Sequence, residues 1–328
     1  WRGADVRNMQ EFQRDFPGTR LIRLEENYRS IPSVLDAANA VIAENKGRIG
    51  KTLRTTRRGG EPVTVVAAAD ERDEAEWVVK EFTARRADWD WNAMAVLYRT
   101  NAQSRAFEEA LRRSGTPYRI VGAISFYDRR EVKDLLAYLR LVANRDDDAS
   151  FERVINLPPR GIGARTVDTI RESARASGSS LWRAAGVLAA GEAGLANTAI
   201  AAFLQLIEQL ASDSAAAPLH EQVDRVIQAS GLLEHHRRDK ADRGEARVEN
   251  LQELVSAARG YAADDDLPPL QSFLAHAVLE SGEAQGQEHE DCVQMMTLHS
   301  AKGLEFPLVF LCGMEEGLFP HQRSQSDL

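Results

Sequence analysis

No apolar run in the 328 residues approaches the roughly 20 needed to cross a bilayer, so no membrane partner is expected. Cysteine is nearly absent. Cys292 and Cys312 form neither a CxxC nor any zinc spacing, which excludes a metal knuckle and leaves two reduced core thiols of a cytoplasmic protein. There is no initiator methionine, and Trp1-Arg2-Gly3-Ala4-Asp5 is polar with no secretory pattern, as expected of a piece cut from a longer chain. Net positive charge is lacking too: the formal charge is −9, which argues against a general polyanion binder. A phosphate-cradling loop is also missing. Gly47-Arg48-Ile49-Gly50-Lys51-Thr52 imitates one, but Asn45 stands where its first glycine belongs.

What is present is locally organised. Trp1 to Gly60 carries twelve Lys/Arg against seven Asp/Glu, whereas Asp264 to Asp291 carries eight acids and no base. Any nucleic-acid surface must therefore be local. Strand signals at 62–67, 93–98 and 117–121 alternate with helical periodicity at 31–42, 71–86 and 104–114, the pattern of a parallel sheet covered on both faces. From about Arg130 to Glu280 nearly every segment has helical period, broken by Pro158-Pro159, Gly178, Pro218, Gly231 and Pro268-Pro269. Strands resume at 293–298 and 308–312. The fold class expected is thus α/β, one parallel-sheet domain interrupted by an all-α insertion, because neither β-rich piece has enough strands to bury a sheet alone.

The richest chemistry lies in Thr297-Leu298-His299-Ser300-Ala301-Lys302-Gly303-Leu304-Glu305-Phe306, a polar loop between two apolar strands. Ligand loops of α/β proteins lie there, outside strand carboxyl ends. Within the helical part, Pro158-Pro159-Arg160-Gly161-Ile162-Gly163-Ala164-Arg165-Thr166 places Gly-Ile-Gly before a helix, exposing N–H donors suited to an anion. His235-His236-Arg237-Arg238 has no metal spacing and reads as part of a mobile loop.

The 297–306 loop resembles motif V of superfamily 1 helicases of the UvrD/PcrA/Rep type. Trp1-Arg2-Gly3-Ala4 resembles the tail of motif III, Glu25-Glu26-Asn27-Tyr28-Arg29-Ser30 motif IV, and the stretch from Ala95 to Arg105 motif IVa. Glu315-Glu316-Gly317-Leu318-Phe319-Pro320 fits the segment after motif V. The resemblance covers essentially the whole chain in the family's order. It implies a RecA-like second motor domain of the P-loop NTPase fold, with residues 1–24 a motif III remnant and linker, 25–122 and 293–328 the two parts of domain 2A, and 123–292 the helical domain 2B.

By the same resemblance the cofactor is ATP with Mg²⁺, shared with a motor domain outside this chain. Arg29 would reach the γ-phosphate as the catalytic arginine, Tyr28 would stack on adenine, Glu305 would bind the ribose, and Gly303 would admit close backbone approach. Trp1 would stack on a base of single-stranded DNA beside Arg2, with Arg99, Asn101, Thr297 and His299 along the strand. Arg160, Gly161, Gly163, Arg165 and Thr166 would face duplex phosphates as a helix-hairpin-helix-like element. Partners implied are single-stranded DNA, duplex junctions and repair proteins, in a bacterial cytoplasm at the nucleoid. Walker A, the Mg²⁺ motif and motif VI are absent, so the expectation is a 3′–5′ helicase portion inactive alone. Two readings compete with it: a recombination helicase-nuclease subunit, and a non-enzymatic docking module.

Overall fold

The computed structural model describes residues 11–12, 14–45, 50–191, 195–214, 216–239, 242–263, 266–281 and 290–319. Trp1 and Arg2 lie outside these residues, as do 46–49, 282–289 and everything from Pro320. The chain divides into two compact units, Trp1–Ala68 and Ala69–Leu328.

The first unit holds helix α1 (Pro32–Ala43), opened by proline at its first position, where a missing N–H costs nothing. A single parallel bridge, Glu26 to Arg54, ties the segment before α1 to the one after it. Asn39 fixes the second segment by pairing with both backbone groups of Leu53, at 2.8 and 3.1 Å. The strand expected at 62–67 does not form. Those residues take part in no ladder, and Val65 is 93% exposed. β-Branched residues signal that a strand would be tolerated, but only a neighbour's hydrogen bonds make one.

The second unit contains α2 (Glu71–Arg85), β1 (Met94–Tyr98), α3 (Ser104–Arg113), β2 (Tyr118–Ile120), a run of helices, then β3 (Val293–Thr297) and β4 (Leu308–Leu311). The four strands form one sheet in the order β2-β3-β1-β4, every pair parallel. β1 is central and buried along its length, whereas β4, at an edge, alternates. Met94, Val96 and Tyr98 point to the face covered by α2 and α3, where Phe82, Phe107 and Leu111 fill the core. α2 starts cleanly because the Asp70 carboxylate accepts from the N–H groups of Arg72 and Asp73, with three acids in its first turn. The opposite face carries a smaller cluster, Ala95, Leu97 and Met296. Ala95 and Met296 are nonetheless fully buried, with Val121, Leu298, Ala301 and Phe306 packed against them. Cys292 and Cys312 are free and buried, and burial pushes both thiols up.

The helical run comprises α4 (Arg130–Ala143), α5 (Asp148–Val154), α6 (Ala164–Ser177), α7 (Leu181–Ala189), α8 (Leu195–Ser214), α9 (Leu219–Ser230), α10 (Leu232–Arg237), α11 (Asp242–Gly260) and α12 (Pro269–Glu280). Their core, from Phe126 to Ala277, is separate from that of the sheet. α4 is central and buried nearly all round, as a helix enclosed by others must be. α10 contains His235 and His236, so the expected mobile loop is corrected to an ordered helix with His236 buried. Among the described residues no helix is long and apolar enough to cross a membrane.

Where α3 meets the helices the contact is ionic. The Arg129 guanidinium donates to Ser104 Oγ at 2.7 Å and Asn250 Oδ1 at 2.8 Å. Ser104 in turn donates to Glu108, whose carboxylate also accepts from Phe126 N–H. Asn250 donates to Glu131 at 2.6 Å. Beside this network Arg105 spans Glu253 and Glu109. Burial pushes the Glu108 carboxyl up and the Arg129 guanidinium down, so each ion relies on its partners.

Two outcomes follow. Arg129→Met should strand Glu108 and cost roughly 3–5 kcal/mol, read from the urea midpoint by tryptophan fluorescence; a loss under about 1 kcal/mol would show that the seam carries little. His236 is buried, neither ring nitrogen has a partner, and its pKa falls to about 4 from 6.5, chiefly through burial. The unfolded chain then takes up the proton more readily than the fold does. Stability should be full above about pH 6.5 and decline toward pH 4, and His236→Phe should flatten that part of the Tm profile.

Candidate functional site

Because all four strands are parallel, their carboxyl ends open on one edge. Tyr98 pairs in register with Thr297, so the residues leaving β1 and β3 emerge side by side. Leu298 N–H donates to Tyr98 O at 2.8 Å and continues the pairing one step beyond the strands. The chain then turns. Thr297 Oγ1 accepts from Ser300 N–H at 3.2 Å, and Ala301 N–H returns to Thr297 O. This turn presents His299 toward β1, and Arg99 Nη1 lies 3.3 Å from its Nδ1. Asn101 opens a short 3₁₀ turn two residues on. Arg99, Asn101, Thr297 and His299, some two hundred positions apart in sequence, thus share one edge.

The same loop carries Gly303 and Glu305. Gly303 has φ +94°, and a β-carbon there would meet nothing within 4 Å, so its backbone is open to approach. Glu305 is exposed. Gly303 and Glu305 belong to the second unit, Tyr28 and Arg29 to the first. In that first unit Asn27 Oδ1 accepts from the N–H groups of Arg29 and Ser30, at 3.0 and 2.8 Å, an Asx turn that leads into α1. Arg57 donates to the Arg29 carbonyl. The Tyr28 ring is left 76% exposed, free to stack on a planar ligand. Among the described residues no acidic, His or Cys cluster could hold a metal.

In the helical part the Gly-Ile-Gly loop leads directly into α6, and the Arg160 guanidinium is turned inward. Its guanidinium donates to Tyr138 OH at 2.7 Å, Ser230 O at 2.8 Å and Pro158 O at 2.9 Å, and lies over the Tyr138 and Phe203 rings. Arg160 thereby braces the loop from behind, its forked donors taken by fixed acceptors. Asn156, which the sequence reading passed over, accepts from Arg160 and Ile162 N–H and shapes the turn. Gly161 (φ +79°) and Gly163 have open space where a side chain would be, and Gly163 caps α6 without a side-chain hydrogen bond. The first N–H groups of α6, with exposed Arg165 and half-buried Thr166, therefore face outward.

The sequence matches the UvrD-like helicase C-terminal domain over residues 22–328. It is 52% identical to DNA helicase II of Escherichia coli over 99% of this chain and 46% of the relative. DNA helicase II of Salmonella typhimurium is 51% identical with the same coverage, and the ATP-dependent DNA helicase PcrA of Staphylococcus aureus is 42% identical over 99% of the chain and 45% of the relative. The chain thus spans a little under half the length of the relatives it matches.

The backbone at Gly303 is the most exacting feature of the loop. Gly303→Ala should destabilise the second unit by about 1–2 kcal/mol through its positive φ alone, since no atom would clash. An unchanged Tm would show that the loop relaxes to a negative φ.

Proposed function

The chain belongs to the UvrD-like helicase C-terminal domain family, and we propose that it serves as the C-terminal motor portion of an ATP-dependent 3′–5′ DNA helicase. The observation that carries this reading is the convergence of Arg99, Asn101, Thr297 and His299 on the carboxyl edge of a parallel sheet. That edge offers a guanidinium, an amide, a hydroxyl and an imidazole, groups that hydrogen-bond phosphate and sugar without reading bases. A translocase needs a grip of this sort, independent of sequence. Trp1 and Arg2 would add a stacking platform to it.

On this reading residues 25–122 and 293–328 form the RecA-like domain 2A and 123–292 the helical domain 2B. Tyr28 holds adenine, Glu305 the ribose, and Gly303 the close approach of backbone. Arg29 offers the γ-phosphate a forked, permanently charged partner. ATP hydrolysis supplies the free energy, with Mg²⁺ and the phosphate loop on a preceding motor domain; this chain alone turns over no ATP. Gly161, Gly163, Arg165 and Thr166 bind a duplex phosphate through backbone donors and one exposed cation, while Arg160 keeps the loop in shape. Repair proteins would dock on the helical domain, and the protein would work in the bacterial cytoplasm at the nucleoid.

Arg29→Ala tests the assignment in the full-length protein. Unwinding of a tailed duplex should be abolished while anisotropy shows single-strand binding within about twofold of wild type, roughly 0.4 kcal/mol. Unwinding that survives the substitution would sink the proposal.

A further inference from the structure

Gln103 has no role in the reading above, yet its side chain touches two exits of the sheet at once. Its Oε1 accepts from the backbone N–H groups of Arg99 and Thr100, both at 3.0 Å. These are the first two residues beyond β1. Folding them back over the amide is what leaves the Arg99 guanidinium beside His299. The opposite end of the amide lies on the turn that leaves β4. A β-carbon at Gly313 would collide with Gln103 Nε2, so this turn accepts the amide only because residue 313 is glycine, at φ +68°. The turn is itself anchored, since Gly313 N–H donates to Glu74 Oε1 on α2 at 2.9 Å.

We propose that Gln103 is a positioning residue for the single-stranded DNA path, holding Arg99 against His299 and setting the β1 exit against the Gly313 turn. The proposal rests on the reading of Arg99 and His299 as DNA contacts. A plainer role is available, because Gln103 also completes a capping box with Thr100. The two roles differ in a measurable way. A neutral amide releases no counterions itself, so a cap lost at this position lowers stability and leaves the salt dependence of DNA binding alone. A positioning residue moves that dependence through the cation it places.

The test uses this chain with a fluorescein-labelled oligothymidylate, its affinity measured by anisotropy across a salt series. For a single strand the slope of log K on log salt changes by about 0.7 for each phosphate contact. Arg99→Ala should flatten the slope by about that amount. Gln103→Met should do the same although it removes no charge, and the double variant should go no further. Gly313→Ala should reproduce the effect by pushing the amide aside, and it carries the test if Gln103→Met fails to fold. Amide exchange supplies a reading without DNA: Arg99 and Thr100 N–H should lose protection in Gln103→Met and keep it in Gln103→Glu, which retains the acceptor. A wild-type slope in Gln103→Met and Gly313→Ala, with a flattened one in Arg99→Ala, would overturn the positioning role alone. An Arg99→Ala slope like wild type would overturn the DNA-path reading and the proposal with it. Protected Arg99 and Thr100 amides in Gln103→Met would refute the mechanism whatever the DNA result.

Discussion

Everything in the second unit depends on β3 occupying the slot between β1 and β2. Those two strands are joined through α3, yet they are not neighbours. One strand's width stands on either side of β3, so β1 and β2 lie roughly 10 Å apart, twice the spacing at which backbones can bond. Before β3 arrives, neither has its partner on that side, and the apolar face against α2 and α3 cannot close. The strand that completes the sheet comes from beyond the whole helical run. The register Val96 to Met295 is therefore a long-range constraint, of the slow, entropically costly kind.

That constraint explains why the seam between α3 and the helices is polar. An apolar seam would tolerate sliding, since apolar surfaces attract in any register. The chain Glu108–Ser104–Arg129–Asn250–Glu131 tolerates none, because displacing one member strands a buried ion. Arg105, reaching both Glu109 on its own helix and Glu253 on α11, repeats the arrangement alongside. Such pairs add little net stability over well-packed apolar side chains. They do fix how the helices sit on α3, and hence where the chain re-enters the sheet. The His236 imidazole lies near the same network, with Glu131 and Arg247 among the charges acting on it.

The alternation of strand and helix, the helical middle and the return to strands were all legible, because periodicity reports which face is buried. What periodicity cannot report is the partner. Val63, Val65 and Val66 look like a strand and remain unpaired, while the five residues of β1 are distinguished only by where β3 and β4 arrive. The edge holding Arg99 and His299 was legible through motif resemblance, not through spacing. Gln103, Asn27 and Asn156 were passed over for one reason: each uses a side-chain amide or carbonyl to hold backbone. In sequence such a residue looks like any polar loop position, although an Asn just ahead of a helix or of a proline pair is a recognisable turn signal.

Arg160 and Arg165 show where a charge count in a sequence misleads. They lie five residues apart in one Gly-Ile-Gly segment and look equivalent. A guanidinium has five donors and no acceptor, so its fate is set by how many carbonyls the fold turns toward it. Around Arg160 the ends of α5 and α9 and the Pro158 carbonyl supply them, with two aromatic faces closing the site. A phosphate could compete only by displacing bonds already made in a partly buried setting. At Arg165, on the first turn of α6, the nearby backbone presents N–H groups, which repel a cation and favour an anion. The same side chain therefore stays outward, where an anion can complete both the helix end and the arginine. A phosphate bound there, as proposed, would use the donors that the fold leaves unspent.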